Sequence, residues 1–413
     1  MSKPVVQLSS FGPIVRAGFL APFISVLCIL AALTLLPPLV EGQAPQPPTK
    51  ISPETLSLPL TPFYDTPDPL PAGRPGQLIR SEPAYDYRLS FQISARRILY
   101  HSRSYGGKDV AASGVVLIPR GTPPNDGWPI VAWAHEFTGT ARQCAPSVRK
   151  NLNEGPLMSM YVGRGYAVVA SDYAGLGTNF PHAAFDFRSN AADVIYSVAA
   201  ARAAMPQLGS KWVVAGYSEG SLVAVAVAES ETEESEANFL GAIAISGVAE
   251  PREYFERLAE GPSHAKLVFL AHGTKTVFPS FRVDDMLTEK ALPLYRELSE
   301  SCEASLGPDL TAKEMLKPGW ENNSFIREFF ARNTLTQKPI RAPLLVISGD
   351  ADPTVPSFVT AKVVSRLCQA KDRVVFVKYA AFNASGIISE SLGEQNSWIS
   401  SRFLGRSAPN NCP

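Results

Sequence analysis

The chain has 413 residues, 45% of them hydrophobic, and its 38 Lys plus Arg balance 38 Asp plus Glu. That length accommodates one large α/β core with an inserted cap, or two ordinary domains. The even charge and the lack of a Lys/Arg run exclude a basic field of the kind that attracts nucleic acid.

Residues Ala17 to Leu36 carry no charged side chain and follow a segment whose only cations are Lys3 and Arg16, the layout of an export signal. The step Val40-Glu41-Gly42 before Gln43 is a small-residue cleavage site. The alternative is an uncleaved anchor, since a membrane span needs about 20 apolar residues. Residues 1–42 are therefore read as the signal and 43–84 as a Pro-rich extended linker, because proline removes backbone donors that a sheet needs.

Ordered folding is expected from residue 85, where Leu89 to Ser94 alternates like a strand and Val110 to Ile118 offers a second. Pro129 to Ala134 and Tyr166 to Ala170 are continuous apolar runs, the pattern of strands buried on both faces of a parallel sheet. Between the strands lie helical patterns. One is capped by Ser189 and carries Val194, Val198 and Ala201 on one stripe; another closes the chain with Ile388, Leu392, Ile399 and Phe403. Strands resume at Gly241 to Ile245, Leu344 to Ile347 and Val374 to Val377. The interval 250–340 breaks the pattern with charged, helix-favouring segments such as Asp284 to Glu303 and reads as a helical cap inserted into a core of residues 85–249 and 341–413. The alternating order predicts an α/β fold with a mostly parallel, doubly wound sheet.

Directly after the apolar run Trp212 to Ala215 stands Gly216-Tyr217-Ser218-Glu219-Gly220. A serine between small residues at a strand-to-helix junction is a nucleophile elbow, in which a strained turn lifts the hydroxyl out of the sheet. Its position makes Ser221 to Ala228 a helix, although valine alternates there with small residues as in a strand. In the α/β-hydrolase order an acid and then a histidine follow the serine. Asp352, in Gly349-Asp350-Ala351-Asp352-Pro353 at the end of the Leu344 strand, is the preferred acid and Asp350 the spare; the competing reading is an Asp-Pro turn capping the next helix. The histidine is missing. The loop Tyr379 to Gly386 has Asn383 and Ala384 where it is expected, and the last histidine in the chain is His272.

Backbone N–H groups of Glu219 and of Glu136, in the loop His135-Glu136-Phe137-Thr138-Gly139, stand where an oxyanion hole is built. His135 is the nearest substitute base, though a lone histidine beside a strand end more often braces its loop. His101, His135, His182, His264 and His272 show no metal-ligand spacing and there is no Cys-x-x-Cys, so no metal or cofactor is expected.

In this order, Trp133 to Gly139, Cys144-Ala145-Pro146-Ser147, Asp172 to Gly177 with His182 beyond, the serine elbow, the Gly349 to Pro356 turn and Trp398 to Phe403 resemble the secretory lipase family of α/β-hydrolases. The resemblance implies an exported carboxylic ester hydrolase, often acting on triacylglycerols at a lipid–water interface, with Ser218 as nucleophile, Asp352 as acid and a helical cap over the acyl site. The departures fall at the chemistry. The family loop usually reads His-Gly-Thr where His135-Glu136-Phe137 stands, and glutamine usually follows the serine where this chain has Glu219. The alternative function is a catalytically silent hydrolase fold that binds an acyl or other apolar ligand. Cys144, Cys302, Cys368 and Cys412, the thiols left after Cys28 departs with the signal, allow three disulfide pairings. The resemblance implies Cys144–Cys302 and Cys368–Cys412. An extracellular or periplasmic destination follows from export, or a membrane-anchored one if the apolar run is retained.

Overall fold

The computed structural model describes residues 56–90, 92–234, 238–298, 300–302, 310–340 and 342–412. The expected signal and the first part of the expected linker lie outside them. No helix among the described residues is long and apolar enough to cross a membrane.

The described residues form one sheet of nine strands: β1 (Leu78–Ala84), β2 (Ile93–Arg103), β3 (Asp109–Pro119), β4 (Trp128–Ala134), β5 (Ala167–Ser171), β6 (Leu208–Tyr217), β7 (Phe239–Ile245), β8 (Leu344–Gly349) and β9 (Val374–Tyr379). Their spatial order is β1-β2-β3-β5-β4-β6-β7-β8-β9. β1, β2, β3 and β5 pair antiparallel in sequence, and from β5 through β4 to β9 every pairing is parallel. The parallel strands β4, β5 and β8 are buried almost throughout, as their uninterrupted apolar runs require when both faces are covered.

Among the described residues eleven α-helices flank or follow the strands: α1 (Gly155–Val162), α2 (Phe187–Ala204), α3 (Glu219–Glu234), α4 (Pro251–Glu260), α5 (Lys266–Val277), α6 (Leu292–Glu297), α7 (Ala312–Met315), α8 (Ser324–Asn333), α9 (Ser357–Gln369), α10 (Ala384–Glu390) and α11 (Leu392–Phe403). Helices α4 to α8 all fall between β7 and β8, within the interval expected to hold them. Two apolar clusters form: one contains Val214, Val223 and Phe269, the other Val213, Ile243 and Trp398. Val213 and Val214 belong to different clusters because neighbouring side chains on a strand leave on opposite faces.

Four local expectations need correction. The Pro-rich segment is more than a linker: it buries Phe63 and Tyr64 and supplies the edge strand β1. The strand expected at Leu89 to Ser94 begins only at Ile93. Helix α2 starts before Ser189, with Asp186 as N-cap, and Ser189 Oγ donates to Asp186 Oδ2 at 2.6 Å from inside the first turn. The closing helix is two, α10 and α11, meeting at the buried Ser391, whose hydroxyl donates back to Ile387 O. That hydroxyl bond competes with regular helix geometry and marks the break.

Candidate active site

The chain reverses its spatial order around β4, between β5 and β6, and in open α/β sheets such a switch point opens a crevice at the carboxyl ends of the strands. Ser218 follows β6, Glu136 lies just past β4, Ser246 follows β7 and Asp352 lies just past β8. All four therefore sit at one end of the parallel strands.

Ser218 has φ +55°, a left-handed conformation that costs free energy in a residue with a side chain. The turn is enforced by backbone proximity. A Cβ on Gly216 would lie 1.9 Å from Gly220 O, and one on Gly220 would lie 2.0 Å from Ala134 O, so β4, β6 and the start of α3 pass too close for any side chain. Ser218 N donates to Ile245 O at 3.1 Å, pinning the elbow to the end of β7. The seryl residue itself stays partly accessible.

Asp352 is buried, and both oxygens of its carboxylate accept hydrogen bonds. Oδ1 accepts the N–H groups of Thr354 and Val355, both at 2.9 Å, and Oδ2 accepts Ser246 Oγ at 3.1 Å. Ser246 holds φ +81°, a second strained residue at this edge. The expected spare, Asp350, is committed elsewhere, accepting the hydroxyl of Ser357 in the first turn of α9. Asn383 is the N-cap of α10 and accepts Gly386 N at 3.0 Å and Ser385 Oγ at 3.1 Å. The loop carrying it is docked on the acid turn, because Ala351 N donates to Phe382 O at 3.1 Å. The position expected to supply an imidazole thus lies beside the acid and holds a helix cap.

His135 lies at this end of the sheet, facing backbone. Its Nδ1 is 2.5 Å from Glu136 O, its Nε2 is 3.2 Å from Asp172 O, and its ring stacks on Tyr173 with centroids 4.1 Å apart. Burial pushes it down to about 4. His182, its ring nearly parallel to that of Tyr173 with centroids 6.3 Å apart, is pushed down to about 3, and His272 to about 4, both chiefly by burial. These rings are neutral at ordinary pH.

The side-chain carboxylates of Glu219 and Glu136, the two residues expected to supply oxyanion N–H groups, have partners of their own. Glu219 is buried and its Oε1 accepts Asn190 Nδ2 from α2 at 3.1 Å. Glu136 shares a hydrogen bond with Glu154, which burial first and the Glu136 charge second raise well above the ordinary carboxyl range. Trp133 Nε1 donates to Glu154 Oε2 at 3.4 Å. Tyr217 feels burial and then the charges of Glu136, Glu154 and Asp352, all of which disfavour its phenolate.

Sequence reading missed Ser246, Glu154 and Asn190. Ser246 alone carried a signal, being the first residue past a buried parallel strand. The motif residues Ser147 and Asp172 meet directly: Asp172 accepts Ser147 N at 2.8 Å and Ser147 Oγ at 2.5 Å. Sulfur atoms of Cys144 and Cys302 are 2.05 Å apart, and those of Cys368 and Cys412 2.02 Å. Among the described residues no group of three or more His, Cys, Asp or Glu is arranged to hold a metal.

Similarity to known proteins follows the same lines. The secretory lipase family model matches residues 153–411, more than half of the chain. No curated protein matches it. Among solved structures, Candida antarctica lipase A in its closed state superposes with a TM-score of 0.73 at 20% identity, covering 86% of this chain and 89% of that one. The rice cell wall degrading esterase LipA from Xanthomonas oryzae gives 0.67 at 20% identity, covering 80% and 98%. A hydrolase described as putative from Legionella pneumophila gives 0.69 at 19%, covering 80% and 99%. At these identities the structures show a shared fold, that of α/β-hydrolases. On the family match, the chain belongs to the secretory lipase family.

Proposed function

We propose that this protein is an exported, lipase-like hydrolase of carboxylic esters in which Ser218 is the nucleophile, Asp352 is the retained acid and the histidine has been lost. The observation that carries this reading is the strained elbow. Ser218 keeps φ +55° between glycines that nothing larger can replace, and such strain persists only where the surrounding structure holds it. Backbone N–H groups of Glu219 and Glu136 are the oxyanion donors, and the Glu219 carboxylate is held back by Asn190. Helices α4 to α8 form a cap over the acyl site, and the substrate is a lipid or other ester met in solution or at a lipid–water interface. Without a base, turnover rests on oxyanion stabilisation and binding and is slow.

One observation favours a second reading, a silent fold that binds an acyl or other apolar ligand. Asp352 is satisfied by a serine hydroxyl and two N–H groups, with no ring nitrogen bonded to it among the described residues. Labelling of the purified protein with a fluorophosphonate decides between them. Labelling that disappears in Ser218→Ala supports the hydrolase; a wild-type chain that resists the probe leaves the binding protein.

A further inference from the structure

Away from Ser218, the β2–β3 turn and the loop after β5 enclose a cavity of about 260 Å³ against the N-terminal part of α2. None of Ser218, Asp352 and Glu136 lines it. Its walls are Tyr105, Phe180, Pro181 and Ala183, and its floor is Ser189, Asn190 and Asp193.

The mouth is charged, and its charges are unequally committed. Arg103 Nη1 donates to Asp109 Oδ1 at 2.7 Å and Nη2 to Gly73 O at 2.9 Å, while His101 Nδ1 meets the same Asp109 carboxylate at 3.0 Å. Lys108 is exposed at the mouth, and no described side chain pairs with its ammonium. One positive charge is therefore available to a ligand. Asp193, only 1% exposed, is already engaged: it accepts Ala174 N at 2.7 Å and the hydroxyl of Ser102, and burial pushes it up to about 7.

We propose that this cavity binds a monocarboxylate carried on a flat apolar body, with the carboxylate at Lys108, the body between Tyr105 and Phe180, and a polar far end at Asn190. A dianion such as phosphate would need a second uncommitted cation, and Arg103 is occupied. An ammonium ligand would meet Lys108 at the entrance. One aromatic ring with its substituents fits the volume, and concave sites of this kind, mostly apolar with a few converging polar groups, are ordinary small-molecule sites. The proposal does not depend on the reactivity of Ser218, so its failure would leave the hydrolase reading untouched.

Calorimetric titration of the full chain with 4-hydroxybenzoate, and separately with benzylamine, tests it. The expected result is saturable one-site binding of the carboxylate and none of the amine. Lys108→Glu should weaken binding at least about tenfold, the worth of one charge-assisted hydrogen bond, whereas Lys108→Arg should retain it. Lys108 is exposed, so neither variant threatens the fold, and Phe180→Ala should weaken binding independently through the wall. Absence of saturable carboxylate binding, an affinity unchanged by Lys108→Glu, or binding of benzylamine in place of the carboxylate would each overturn the assignment.

Discussion

Ser246 Oγ donates to Asp352 Oδ2 at 3.1 Å, so the hydroxyl at the end of β7 occupies the carboxylate that, in a working triad, orients an imidazole. Asp352 is satisfied locally, and Asn383, in the loop expected to hold the histidine, is a helix cap.

Rescue by Ala384→His is the direct consequence. Loss of the histidine from a serine triad costs about 10⁶ in turnover, so even a poorly placed imidazole should raise hydrolysis of an activated ester above background. Combining it with Ser246→Ala should raise it further by freeing Asp352 Oδ2. Asn383→His should gain less, because it removes the α10 cap at a cost of about 1 kcal/mol in stability. Ester hydrolysis assays with thermal melts check both parts; a rate unchanged by every one of these variants would show that Ser218 and Asp352 are not set for catalysis.

His135→Ala should lower stability without altering the pH dependence of whatever hydrolysis the wild type shows, because both ring nitrogens face backbone carbonyls. Loss of the stacked ring from a buried site should cost about 2–4 kcal/mol. Should the wild type hydrolyse esters at ordinary enzyme rates and this variant abolish them, His135 is the base.

The parallel strands were legible because full burial on both faces imposes an uninterrupted apolar run, and the elbow because its turn admits only glycine at Gly216 and Gly220. β1 was not legible: Leu78–Ala84 contains Arg80, Glu82 and Pro83, and its place is fixed by pairing with β2. Nor were Glu154 and Asn190, whose roles arise from neighbours 18 and 29 residues away in the chain, Glu136 and Glu219. Polar partners of this sort leave no periodicity. The absent histidine was legible as a gap, whereas the contact of Ser246 with Asp352 depends on two strand ends that only the sheet brings together.

The Glu136–Glu154 pair makes stability depend on pH. Burial and Glu136 raise Glu154, so above its ordinary 4.5 the unfolded chain releases a proton that the folded chain still holds. Stability from this group is therefore present below 4.5 and falls as pH rises toward the raised value. Glu154→Gln keeps an acceptor for Trp133 and a donor for Glu136, and it should stabilise the protein at pH 7 to 8 relative to wild type, with no gain at pH 4. Denaturant unfolding at both pH values tests this, and a gain equal at the two would refute the shared proton.

The two disulfides should separate stability from chemistry. Cys144–Cys302 spans 158 residues and Cys368–Cys412 spans 44, which in the chain-entropy model are worth about 5 and about 4 kcal/mol. Cys144 also packs on the loop that follows β4: a Cβ on Gly139 would lie 2.8 Å from its sulfur, and Gln143 Nε2 donates to Glu300 O at 3.0 Å. Replacing Cys144 and Cys302 by serine should slow fluorophosphonate labelling of Ser218 as well as lower the melting temperature, while the same change at Cys368 and Cys412 should only lower the melting temperature. Equal effects of both pairs on labelling would remove the link between Cys144 and the proposed oxyanion loop after β4.

Limited proteolysis should find the middle of the 250–340 interval first. Its two ends are tied to the core: Glu250 pairs with Arg366 and Glu253 with Lys362 on α9, while at α8 Arg332 pairs with the buried Asp186 at 3.1 Å. Arg188 adds Nε to Arg332 O at 2.6 Å and Nη2 to Thr334 O at 2.9 Å. Between these ties lie the short helices α6 and α7, fastened to the core at Cys302 by the disulfide to Cys144, so a cap that opens has its lowest local stability on either side of that bridge. Early cuts should therefore fall between about Val283 and Leu316, ahead of any in the parallel strands. Arg332→Leu would leave Asp186 without its ion partner, at a cost of about 3 kcal/mol for a charge stranded in a buried site, and should extend early cutting into α8. Mass spectrometry of the fragments reads both outcomes; first cuts within β4 to β7, or an unchanged pattern in Arg332→Leu, would show that the interval is not held as a cap anchored at its ends.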